Sequence, residues 1–163
     1  MKLCNEAIKL IEKTLEKGST ILELGSGDGT LHLIKKGYKV ISIEHDPAWQ
    51  FKYHDNYIAA PNKKYEDYWW KYEDYWWFDS EYLSELPAYD FLLIDGPTGP
   101  PVEEYDNCRI GLLYHKHLFN LEVPILVDDT GRPSERELAE ELIKNREYTD
   151  HGRFIFIHGL LEE

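Results

Sequence analysis

Residues 20–30 read TILELGSGDGT. Thr20–Leu24 is a short β-prone run, and the chain then passes through Gly25, Ser26, Gly27, Asp28 and Gly29. Glycine lets the backbone turn tightly and approach a ligand closely. Residues 29–36 suit a short helix closed by Gly37, so the stretch reads as strand, glycine turn, helix. Lys39–Glu44 (KVISIE) is a second strand, and its last residue, Glu44, lies 19 residues beyond Gly25. An acid there can accept both hydroxyls of a ribose. Singly, each feature is also explained by an ordinary strand–helix turn or a solvated strand end; together they support each other.

Working outward, Leu3, Ala7, Leu10, Ile11 and Leu15 recur at helical spacing before Gly18. Pro47–Asn56 reads as helix and Tyr57–Ala60 as a brief strand; Ser80–Leu86 reads as helix capped by Asp79. Tyr89–Ile94 (YDFLLI) is a strand apolar enough to be buried on both faces. Asp106–Phe119 reads as helix, Pro124–Val127 as strand, and Ser134 with Glu137 as a capping box opening a helix. Phe154–His158 closes the chain as a strand. Alternation of this kind predicts an α/β fold with a mostly parallel sheet covered on both sides and ligands beyond the carboxyl ends of its strands.

With 163 residues the chain has the length of one domain. Its net charge of −13 disfavours nucleic acid and anionic membranes as partners, and no apolar run approaches the ~20 residues of a bilayer span. Two cysteines, Cys4 and Cys108, are too few for a disulfide framework, so a reducing cytoplasm is the expected compartment.

Residues 64–70 read KYEDYWW and residues 71–77 repeat it. Two copies are too few for a solenoid. One copy is expected to pack and the other to bulge outward, available to a flat ligand or to a second chain in a homo-oligomer. A packed aromatic patch explains it equally well.

The dinucleotide fingerprint G-x-G-x-x-G is not met, since Thr30 stands where the last glycine belongs. Instead ELGSGDGT resembles motif I of the class I S-adenosylmethionine (SAM)-dependent methyltransferases. ISIEHDP (Ile41–Pro47) resembles their motif II, and YDFLLIDGP (Tyr89–Pro97) their motif IV. The resemblance covers roughly residues 3–158. It implies a single Rossmann-like domain with a seven-stranded sheet whose last strand is reversed. It also implies a cofactor site lined by Glu23, Gly25, Ser26, Gly27, Asp28 and Gly29. Glu44 would hold the ribose and His45 would flank the adenine. The usual acid after the third strand is missing: Ala59, Ala60 and Pro61 stand there.

Asp95 ends the fourth strand and Asp128-Asp129 the fifth. Neighbouring parallel strands lie ~4.8 Å apart, so these carboxylates can converge, and hard oxygen ligands suit Mg²⁺. The placement resembles metal-dependent O-methyltransferases of catechol and antibiotic-sugar type, which implies Asp95, Asp128 and Asp129 as metal ligands. The competing reading is that they cap the turns that follow. The base those enzymes carry is not matched: Pro97 and Thr98 stand at its two family positions. His115, His117 and His158 remain as bases, with His115 and Asp95 the leading catalytic candidates. Arg109 and Arg132 can fork onto an acceptor carboxylate. The expected activity is methyl transfer from SAM to a hydroxyl of a small molecule or saccharide, with Mg²⁺ assisting. Alternatives are a metal-independent methyltransferase of another acceptor and a non-catalytic cofactor-binding or assembly module.

Overall fold

The computed structural model describes residues 3–66, 74–98 and 109–160. Nine strands and three α-helices run in the order α1 (Asn5–Thr14), β1 (Thr20–Leu24), α2 (Asp28–Lys35), β2 (Lys39–Glu44), β3 (Tyr57–Ala59), β4 (Asn62–Tyr65), β5 (Tyr75–Phe78), β6 (Phe91–Ile94), β7 (Ile125–Asp128), α3 (Pro133–Leu142), β8 (Tyr148–Asp150) and β9 (Phe154–Ile157) among the described residues. Seven strands form one sheet in the order β3-β2-β1-β6-β7-β9-β8. β3, β2, β1, β6 and β7 are parallel, β9 runs antiparallel to β7, and β8 pairs antiparallel with β9. The expected sheet with its reversed last strand is therefore present. β4 and β5 form a separate antiparallel hairpin.

Alternation along each strand sorts side chains onto two cores. Ile21, Val40, Phe91, Leu93, Leu126, Phe154 and Phe156 pack with Ala7, Ile8 and Ile11 of α1 and Leu33 of α2. Leu22, Leu24, Ile43, Leu92, Ile94, Ile125, Val127, Ile155 and Ile157 face the other way, onto Leu138 and Ala139 of α3, Trp77 and Phe78 of β5, and Ile110 and Leu112. On that second face α3 shares the cover with the hairpin and with 3₁₀ turns.

Three expected helices are shorter or absent. Residues 47–56 hold turns and bends, because local hydrogen bonds compete with a helix: Asp46 Oδ1 accepts from Ala48 N at 2.9 Å and Phe51 sits at φ 56°. Within 109–119 there are only the 3₁₀ helices Arg109–Tyr114 and Lys116–Leu118. Gly111 sits against Trp77, where a Cβ would come within 2.5 Å of the ring's Cγ, and a glycine mid-helix is unfavourable. Ser80–Leu83 is a single 3₁₀ turn, with Asp79 accepting from Glu81 N as expected of its cap.

Ser134 is not the N-cap of the helix that the capping box was expected to open. Pro133 opens α3, with Arg132 as N-cap, and Ser134 Oγ donates to Glu135 Oε2. Proline is pre-organised for the first helical position, so it sets the start one residue before the serine could cap it.

Both copies of the repeat contribute to the hairpin: Lys64 and Tyr65 of the first pair with Trp76 and Tyr75 of the second. The expectation that one copy packs and the other bulges falls largely on residues outside the described ones. Residues 67–73, including Trp69 and Trp70, and residues 99–108, including Cys108, lie outside the described residues. Among the described residues no helix is long and apolar enough to cross a membrane.

Candidate functional site

Beyond the carboxyl ends of β1, β2 and β6 lies a cleft of about 410 Å³, lined by Gly25, Ser26, Glu44, His45, Asp46, Trp49, Asp95, Gly96 and Thr98. Its floor is where two strand ends touch through glycine. Gly25 holds φ 87°, and a Cβ on it would meet Gly96 Cα at 2.9 Å; one on Gly96 would meet Gly25 Cα at 2.7 Å. Any side chain at either position would push β1 and β6 apart.

Glu44, 3% exposed, is fixed at one wall. Its Oε2 accepts from Ser26 N and its Oε1 from Asp46 N, both at 2.7 Å, with His45 Nδ1 3.0 Å from Oε1. Burial alone would raise its pKa; the bonds from His45, Asp46 and Ser26 outweigh burial and hold the carboxyl below its ordinary value. It is therefore ionised, and Oε2, with its single bond from Ser26 N, keeps a lone pair for a ligand hydroxyl. Ser26 Oγ is 2.7 Å from the Tyr57 hydroxyl and 3.1 Å from Thr30 Oγ1. His45 lies against Phe78 edge-on at 6.3 Å, so the hairpin buttresses this wall. Asn62 of β4 donates to the Thr98 carbonyl at 3.3 Å, tying the hairpin to the opposite rim.

Other members of the expected cofactor set lie elsewhere. Glu23, 2% exposed, points into the protein, where its Oε1 accepts from Ser42 Oγ at 2.5 Å and Thr30 Oγ1 at 2.6 Å. Burial pushes its pKa up to about 8 against those two bonds. Its place is to join β1, β2 and α2 from beneath. Gly29 faces Leu3, whose Cβ would stand 2.9 Å from an added Cβ, so it admits the segment that leads into α1. Gly27 is the N-cap of α2, its N–H donating to Thr30 Oγ1 at 3.1 Å. Asp28 accepts from the Tyr53 hydroxyl at 2.7 Å, away from the cleft lining. Of the glycine turn, Gly25 and Ser26 line the cleft, while Gly27, Asp28 and Gly29 do not.

Sequence reasoning missed Asp46, Trp49, Gly96 and Thr98 as lining residues. Trp49 carried a usable signal, an indole five residues past the acid that ends β2. Gly96 is explained by its approach to Gly25, a contact between strand ends far apart in the chain.

At the ends of β6 and β7, Asp95, Asp128 and Asp129 do converge: one carboxylate oxygen from each lies within 4.8 Å of the others. In count and chemistry they suit a divalent cation. The same cluster, however, already encloses a positive charge. Arg109, 1% exposed, sends Nη2 to Asp129 Oδ2 at 3.1 Å and Asp95 Oδ1 at 3.4 Å, and Nη1 to the Asp128 carbonyl at 3.1 Å. Its Nε is 3.8 Å from Glu135 Oε1. Two of the three carboxylates, Asp95 and Asp129, are thus engaged by the guanidinium, while Asp128 meets it through its carbonyl and keeps Oδ1 buried with no hydrogen-bond partner among the described residues; a metal ion would have to displace Arg109 from Asp95 and Asp129. Arg109 is thereby also unavailable to an acceptor carboxylate. Arg132, 58% exposed along its side chain, lies 3.5 Å from Asp129 and 3.7 Å from Glu135.

Burial raises the Asp95 pKa to about 7; Arg109 pulls it down, and Asp128 and Asp129 push it up. Burial likewise raises Asp128. His115 is not a lining residue. It is buried in an aromatic cage, stacked on Trp77 at 4.6 Å, edge-on to Tyr65 at 4.9 Å, with Nε2 3.2 Å from the Tyr75 hydroxyl. His117 neighbours it at 6.3 Å. His158 follows the reversed strand β9, beside Pro124 at the start of β7, so it stands at the end of the sheet opposite the cleft.

No family model matches the chain, and no curated protein does. Solved structures do. One is the MycE methyltransferase of the mycinamycin biosynthetic pathway, in complex with Mg and S-adenosylhomocysteine (SAH), at TM-score 0.56 and 11% identity over 95% of this chain. This chain spans only 45% of the MycE chain. Another is precorrin 8W decarboxylase from Methanobacterium thermoautotrophicum, at TM-score 0.56 and 15% identity over 98% of this chain and 92% of that one. At such identities the likeness concerns the fold, and it agrees with the strand order and reversed β9 described above: the chain has the Rossmann-like fold of the methyltransferases.

Proposed function

We propose that the chain is a SAM-dependent methyltransferase acting on a hydroxyl of a small molecule or saccharide. The observation that carries this reading is the cleft itself, which the Gly25 turn, the ionised carboxylate of Glu44 and the carboxyl of Asp95 line together. The MycE structure, crystallised with SAH, supports the choice of cofactor.

Glu44 accepts the ribose hydroxyls, held in place by the Ser26 and Asp46 N–H groups. His45 and Trp49 offer ring surfaces beside it, suited to a purine. Gly25 and Gly96 leave the floor open for close backbone approach. When bound, SAM supplies an electrophilic methyl on a sulfonium. Asp95 lines the same cleft and its pKa near 7 suits it to take the proton of an acceptor hydroxyl at neutral pH. Holding acceptor and donor in line supplies much of any acceleration.

The test is transfer of an isotope-labelled methyl from SAM to a panel of polyols, sugars and phenols. Asp95→Asn should lower the rate about 10²–10⁴-fold, the usual worth of a general base, while leaving SAH affinity within a few-fold. Full activity in the Asn variant removes Asp95 from the mechanism. Tight SAH binding with no transfer to any acceptor favours a non-catalytic cofactor-binding module.

A further inference from the structure

We propose that Arg109 is the resident cation of the Asp95–Asp128–Asp129 cluster, seated where a divalent metal would otherwise bind, so that chemistry in this cleft runs without a bound metal. The first part stands on geometry alone; only the second rests on the methyltransferase reading.

The guanidinium draws together the ends of three elements. It reaches Asp95 after β6, Asp129 and the Asp128 carbonyl at the end of β7, and Glu135 in the first turn of α3. Arginine suits such a place because it stays charged and presents its donors in a planar fork. A metal ion serving the same carboxylates would exchange with solvent; a side chain does not.

The segment bearing Arg109 is also fixed in place. Ile110 and Leu112 are fully buried beside it, and Gly111 is pressed against Trp77. Asp129 adopts φ 57°, an uncommon conformation for a residue other than glycine, while carrying its carboxylate to Nη2. Mg²⁺ requires oxygen ligands at about 2.1 Å in near-octahedral geometry. An ion held by Asp95 and Asp129 would lie against the Nη2 group that hydrogen-bonds to both. Guanidinium and metal therefore compete for one place.

The substrate follows from this. A metal site selects acceptors with two adjacent oxygens to chelate; a cluster that already holds a cation of its own requires only one hydroxyl beside Asp95.

The experiment is calorimetric titration of the EDTA-treated full chain with MgCl₂ and MnCl₂, with thermal unfolding of wild type, Arg109→Ala and Arg109→Lys with and without MnCl₂. Wild type and Arg109→Lys should show no saturable heat at millimolar metal and no shift in Tm. Arg109→Ala, if it folds, should gain a Mn²⁺-dependent rise in Tm. Stoichiometric Mn²⁺ binding to wild type that Asp128→Asn or Asp129→Asn abolishes overturns the proposal, as does the same Mn²⁺-induced rise in Tm in wild type and Arg109→Ala. If Arg109→Ala does not fold, the wild-type titration decides. SAH titrated into the same samples separates the two readings: no SAH binding without metal binding removes the methyltransferase reading and leaves Arg109 in place. Metal binding alongside SAH binding does the reverse.

Discussion

Glu23 shows how a motif residue can be conspicuous in sequence and structural in place. Its letter belongs to the glycine-rich turn, yet period-two alternation on β1 turns it away from the cleft, onto Ser42 and Thr30. In the unfolded chain it ionises at 4.5; folded, it keeps its proton up to about 8. The folded state therefore binds the extra proton between those values. Its favourable contribution is complete below pH 4.5 and is lost as pH rises through that window, by about 1.4 kcal/mol per pH unit. Glu23→Gln keeps the shape and removes the titration. Urea unfolding from pH 5 to 8 should show a flatter stability profile for the variant, which at pH 8 is at least as stable as wild type; equal slopes would show that Glu23 is ionised in the fold. Glu44 lies at the opposite extreme: it ends β2 and lines the cleft, and the turns after β1 and β2 supply the Ser26 and Asp46 N–H groups that keep it ionised. Arg109 was not legible from its sequence position, because its partners come from three separated segments that only the fold assembles.

At the scale of elements, legibility followed the contrast between apolar runs and turn residues. β1, β2, β6, β7 and β9 are apolar runs closed by glycine, proline or acid, and each was readable to within two residues. β8, Tyr-Thr-Asp, is exposed throughout and exists through its pairing with β9, so it left no pattern to read. The hairpin was hidden by the repeat. Its register joins Tyr65 to Tyr75 across a nine-residue connection, 66–74. Because the period is seven, deleting residues 71–77 restores the same letters in the same register, with Glu-Asp as a two-residue turn. Two-residue turns are the commonest hairpin connection, though glycine or asparagine is preferred there. Shortening the loop gains about 1.3 kcal/mol of closure entropy, and forcing one non-glycine residue to positive φ costs about 1–2 kcal/mol. The deletion variant should therefore fold, with stability within about 2 kcal/mol of wild type by urea denaturation. An unfolded product would show that the second heptad is required beyond the pairing it supplies.

For the whole molecule, the sheet order places the ends of β1, β2, β6 and β7 side by side, and with them Gly25, Glu44, Asp95 and Asp128. That convergence was legible because parallel strands have their carboxyl ends together whatever the connections do. What the connections do was less so, since 3₁₀ turns and a hairpin cover the second face where regular helices were expected. The central claim is that this end of the sheet is a SAM site, and titration of the full chain with SAH by calorimetry tests it most directly. A single saturable site is predicted, weakened about 5- to 150-fold by Glu44→Ala, the loss expected for about 1–3 kcal/mol of hydrogen bonding to a polar ligand. Absence of binding, or binding that the folded Glu44→Ala variant leaves unchanged, would contradict it.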